Sequence, residues 1–163
     1  MPVRSIFQSG LRHCYFSIVI VALIADLLVT PAARAQNNDP RITNPVQNAT
    51  VCMRLLAQGT SRIRSDLRLG LLIQPRGFGD QFWPQNWPTV RPTGEWDSLV
   101  YFGQPNDAGL AFSLTAAYFD DAGQAMIEAY FTYGKRTGDW RPIPFPQPAL
   151  PNLDEVTVVR GSC

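Results

Sequence analysis

Leu67-Arg68-Leu69-Gly70-Leu71-Leu72-Ile73-Gln74-Pro75 carries the reading that decides the fold. Leu67, Leu69, Leu71 and Ile73 alternate with Arg68, Gly70, Leu72 and Gln74, and a period of two places each set on one face of a strand. Pro75 ends the segment, because it has no amide hydrogen to give to a sheet ladder. A strand with one strongly apolar face needs a second layer over it, so the pattern should repeat elsewhere in the chain.

It repeats on both sides. Upstream, Val51, Met53, Leu55 and Ala57 alternate with Cys52, Arg54, Leu56 and Gln58 until Gly59-Thr60-Ser61 breaks the run. Downstream, Gly77-Phe78-Gly79-Asp80 reads as a turn and 81–83 as a short strand stopped by Pro84. Residues 86–94, with Pro88, Pro92 and Gly94, suit a loop or a sheet edge. In 96–102, Trp96, Val100 and Phe102 oppose Asp97, Leu99 and Tyr101; after turn chemistry at 104–109, Leu110, Phe112, Leu114, Ala116 and Tyr118 share a face. Residues 156–160 form the closing strand.

One segment changes period. In 120–133, Ala122, Ala125, Met126, Ala129, Tyr130 and Tyr133 recur at spacings of three and four, which predicts a helix packed by that stripe. Asp120 or Asp121 would cap its start and Gly134 would stop it. Pro142, Pro144, Pro146, Pro148 and Pro151 bias the next stretch toward polyproline II, read as a rigid surface crossover rather than a docking ligand. About 6–8 short strands with one crossover helix predict a mostly β, antiparallel sandwich.

The first 36 residues decide how much of the chain folds. Arg4, Arg12 and His13 form a basic start, an apolar run covers 14–30, and Ala33-x-Ala35 supplies a cleavage pattern: a secretory signal peptide over 1–35, cut before Gln36. A membrane anchor is the competing reading; the run is short for a span and carries Asp26. Cleavage leaves 36–163 as a single domain of 128 residues with 11 basic and 12 acidic side chains. That balance gives no support to nucleic-acid binding, and after cleavage no membrane insertion is expected. The sole histidine, His13, goes with the signal, which removes the imidazole of hydrolytic triads and of histidine-rich metal sites; no cofactor and no metal is implied. Cys52 and Cys163 remain, and in an oxidising compartment they most simply pair; free or intermolecular thiols are the alternative.

The order of segments supports a further comparison. Ile42-Thr43-Asn44-Pro45, Leu69-x-Leu71-Leu72-Ile73-Gln74-Pro75, Phe82-Trp83-Pro84-Gln85, Gly94-Glu95-Trp96, Gly109-x-x-Phe112-x-Leu114 and Val156-x-Val158-Val159-Arg160 run in sequence. Over about residues 40–160 the chain resembles a loosely defined group of bacterial exported immunoglobulin-like β-sandwich domains. The resemblance implies a recognition or packing module without catalytic residues. The Cys52 and Cys163 pair and the dense prolines depart from its pattern.

Candidate chemistry centres on the aromatics. Phe82, Trp83, Trp87 and Tyr101 fall around proline-rich turns, and Trp140 sits beside the later proline segment. Flat aromatic faces with polar neighbours suit sugar rings, while Trp96, starting a strand, suits the core. A carboxylate-dependent hydrolase, of glycoside hydrolase type, would have to use Glu95 and Asp97, or Asp120, Asp121 and Glu128. Arg62, Arg64 and Arg68 read as a solvated strand edge, and Asn48-Ala49-Thr50 fits a glycosylation acceptor. The expectation is a secreted or periplasmic, non-catalytic recognition module whose partner is an extracellular or envelope protein or a surface glycan. A structural subunit of an envelope assembly is the alternative, and the hydrolase a second one.

Overall fold

The computed structural model describes residues 39–163. The signal segment, its cleavage pattern and His13 lie outside the described residues. The chain forms β1 (Arg41–Asn44), β2 (Ala49–Val51), β3 (Arg54–Thr60), β4 (Arg68–Pro75), β5 (Gln81–Pro84), β6 (Thr89–Val90) and β7 (Glu95–Tyr101). A 3-10 turn (Pro105–Asp107), β8 (Ala111–Phe119), α1 (Asp121–Thr137), β9 (Ile143–Pro144) and β10 (Asp154–Arg160) complete it. These ten strands exceed the six to eight expected because β2, β6 and β9 are only two or three residues long, too short to show a period.

Two sheets result, in the orders β1-β3-β7-β6 and β2-β10-β8-β4-β5-β9. The expected all-antiparallel arrangement fails at one place: β10 pairs with β2 in parallel, Val158 opposite Ala49. The single strand expected around 51–58 is two strands. Its alternation holds, but the chain leaves the larger sheet after Val51 and enters the smaller one at Arg54. The crossing point is Cys52, which is disulfide-bonded to Cys163, 111 residues away.

Side chains from both sheets fill one core: Ile42, Ala57, Trp96 and Val100 from the smaller sheet meet Leu69, Leu71, Ile73, Phe112, Leu114 and Val158 from the larger. The larger sheet is also covered on its outer face. Leu72, Ala117 and Phe119 pack there with Ile127 of α1, so β4 and β8 are buried on both faces, not on the one face their alternation predicts. The helix itself is rotated from expectation. Gly123, Ile127, Tyr130 and Gly134 are its buried residues, whereas Ala122, Ala125, Met126, Ala129 and Tyr133 are exposed. Small residues decide this: Gly123 lies against Phe119 and Gly134 against Trp140, and a methyl at either would overlap its neighbour. Asp120 is the cap, accepting from Gly123 N at 3.0 Å, and the helix ends at the left-handed Gly138 rather than at Gly134.

Edges are closed by side chains as well as strands. Asp154 Oδ2 accepts from the Ile42 amide at 2.6 Å, tying β1 to β10 across the sandwich edge. The Tyr118 hydroxyl lies 2.9 Å from both Asp39 Oδ1 and the Arg62 carbonyl, and burial raises its pKa above the ordinary value. Prolines blunt the β9 edge of the larger sheet.

Gln85 joins the two sheets. Its backbone amide donates to Leu71 O of β4 at 2.8 Å, its Oε1 accepts from the Tyr101 amide of β7 at 2.8 Å, and its Nε2 donates to Trp83 O at 3.0 Å. Gln85→Leu would strip the Tyr101 N–H and the Trp83 carbonyl of these partners in a buried place, so a loss of about 2 kcal/mol is expected. The urea midpoint reads this; an unchanged midpoint would mean that water takes over both groups.

Candidate functional site

Above Gln85 a cleft of about 830 Å³ opens between the β5–β6 connection, the end of β7 and α1. Trp83, Trp87, Tyr101 and Trp140, four of the five aromatic candidates, line it. The fifth does not: Phe82 turns away and packs on Phe145, ring centroids 4.7 Å apart, against the outer face of the larger sheet. Strand alternation explains the split, since Trp83 follows Phe82 in β5 and the two must face opposite ways.

The three tryptophans are held differently. Trp87 donates its indole N–H to Glu128 Oε1 at 2.6 Å, carries the Arg68 guanidinium 4.0 Å above its ring and meets Phe131 edge-on at 6.4 Å. It is a packed wall. Trp83 donates to the Trp140 carbonyl at 3.0 Å, fixing the chain just after α1. The Trp140 indole rests on the bare α-carbon of Gly134, with Tyr130 at 5.5 Å, and 45% of the residue stays exposed. Trp140 is therefore the platform of the cleft, its position set by one helical glycine. Trp96, by contrast, lies in the core as a ring at 1% exposure.

Polar groups ring these surfaces. Glu128 receives both Trp87 and Arg68, at 2.6 and 3.3 Å, on the same oxygen Oε1; Oε2 takes no donor among the described residues. The Tyr130 ring is buried, and desolvation pushes its pKa up to about 12, so its hydroxyl stays protonated through neutral and moderately alkaline pH. Neither that hydroxyl nor the one on Tyr101 has a protein partner among the described residues. Asp107 belongs to the 3-10 turn, where Oδ2 accepts from the Gln104 amide at 2.6 Å.

No family model, curated protein or solved structure matches the chain. The roles of these residues therefore rest on their geometry. Glu95 and Asp97 stand outside the cleft, Asp97 paired with Arg91. Asp120 is engaged as the helix cap. Only Glu128 of the named carboxylates reaches the cleft. Arg68 stays exposed, as expected, and pairs with Glu128 from a strand inside the larger sheet, while Arg62 and Arg64 lie 3.7 Å from Asp39. Among the described residues no group of three or more His, Cys, Asp or Glu could hold a metal ion, and no helix is long and apolar enough to cross a membrane. The sequence pattern does not mark Tyr130, Phe131 or Lys135 as site residues, yet all three line the cleft. Glu128, Phe131 and Lys135 recur at spacings of three and four, a stripe that an apolar count overlooks because two of its members are charged.

Proposed function

We propose that the protein is an exported, non-catalytic recognition module that binds a saccharide in the Trp83–Trp140 cleft. The observation that carries this reading is Trp140: a half-exposed indole, seated on Gly134, in a cleft shared with the Tyr101 and Tyr130 hydroxyls, which have no protein partner among the described residues, and with Glu128, whose Oε2 takes no donor there. Sugar rings present axial hydrogens to such a face and a fringe of hydroxyls to such neighbours. The cleft volume of about 830 Å³ falls within the range of small-ligand sites. Secretion or periplasmic residence fits the leader pattern and the Cys52–Cys163 bridge, and an immunoglobulin-like arrangement fits the two facing sheets.

A protein partner is the second reading. Leu56 and Leu99 lie directly opposite each other across β3 and β7, both exposed, next to the exposed Tyr101 at the cleft mouth. Calorimetric titration of the purified protein with a panel of envelope and host-surface polysaccharides separates the two. Saturable heat is expected, with Trp140→Ala weakening affinity about ten-fold, the equivalent of ~1.4 kcal/mol of lost stacking. A flat response from folded protein would retire the saccharide and direct the search to a protein at the Leu56–Leu99 face.

A further inference from the structure

We infer that the saccharide accepted by this cleft is acidic, its anionic group pairing with Lys135; the inference rests on the saccharide reading above and names its substrate class. Three ionised side chains line the cleft: Asp107, Glu128 and Lys135. Both carboxylates already have a donor inside the protein. Glu128 is met by Trp87 and by the Arg68 cation, and Asp107 by the Gln104 amide. Lys135 has no hydrogen bond or ion pair among the described residues. Its place in the last turn of α1 favours a cation there, but the carbonyl end of a helix supplies only a fractional charge. An anionic partner for Lys135 is what a ligand can supply.

Position adds direction to this argument. Lys135 follows Gly134, the residue on which the Trp140 indole rests, and both Lys135 and Trp140 line the cleft, so a ligand stacked on that indole shares the cleft with the ammonium. Glu128 is seven residues earlier, two turns along the same helix face and about 10 Å away along the axis. Its free Oε2 accepts hydrogen bonds and would repel an acid. The cleft thus has a hydroxyl-accepting end at Glu128 and an acid-accepting end at Lys135, with aromatic rings between them. An acidic sugar with neutral neighbouring units matches that order.

The test uses matched pairs: polygalacturonate, alginate and hyaluronan, each against its carboxyl-reduced form, titrated calorimetrically into the purified protein at low and moderate salt. At least one acid form should bind about ten-fold tighter than its reduced partner, as a charge-assisted contact in a partly desolvated site would give. The preference should shrink as salt rises. Lys135→Gln should abolish it and Lys135→Arg should keep it. If saccharides bind but no acid form is preferred, or if Lys135→Gln leaves the preference intact, the acidic-ligand inference falls and the saccharide reading stands. If no saccharide of either kind binds the folded protein, both fall together.

Discussion

Gly59→Ala is expected to destabilise the protein by about 3 kcal/mol or more, enough to unfold much of a domain of ordinary stability. Gly59 sits on β3, an inner strand of the four-stranded sheet, opposite Ile42 on β1 and Trp96 on β7. A methyl there would overlap the Arg41 carbonyl oxygen and the six-membered ring of Trp96. The first is backbone in a paired strand and cannot swing aside. The second is a fully buried indole among Ile42, Ala57 and Val100, with no free space to enter. Urea denaturation followed by far-ultraviolet dichroism measures the loss. In a Trp96→Leu background the same methyl should cost less but still destabilise, because the Arg41 oxygen remains. A Gly59→Ala protein with a wild-type midpoint would show that β1, β3 and the indole are not packed as described.

Removing the disulfide, as Cys52→Ser with Cys163→Ser, is expected to cost about 4 to 5 kcal/mol. The bridge closes a loop spanning 111 residues, and the loss of chain entropy from the unfolded state grows slowly with such length. The bond also holds the place where the chain passes from β2 in one sheet to β3 in the other. Guanidinium denaturation of the oxidised protein, the reduced protein and the double serine variant measures the effect, and the last two should agree. If the oxidised and serine proteins share one midpoint, residual order in the unfolded chain already accounts for the closure. An intact mass two hydrogens below the reduced value checks the bond itself.

What could be read in advance follows from how far each signal travels along the chain. Strands β3, β4, β7, β8 and β10 were legible because a period of two is a local property, and Pro75 and Pro84 mark ends for local reasons. Their partners were not. The parallel β2–β10 pair depends on a sheet exchange at Cys52, which no nearby residue announces. The helix was placed within a few residues, but its buried face was misassigned. Alanine and methionine carry the apolar count, whereas the buried face is Gly123, Ile127, Tyr130 and Gly134, of which only Tyr130 belongs to that stripe and two are glycines that score as gaps. Trp83, Trp87, Tyr101 and Trp140 were recognisable as aromatics beside proline-rich turns; that they share one cleft depends on α1 crossing the larger sheet. Gln85 and Glu128 gave little warning, since their roles are hydrogen bonds to residues 16 and 41 positions away.

Gly134 carries a conflict between two demands on the same atom position. An alanine there would favour the helix by close to 1 kcal/mol, since glycine is among the poorest helix formers. The same methyl would push the Trp140 indole off its seat. The surface that Trp140 offers to the cleft thus persists only while the helix keeps one of its poorest formers at that position.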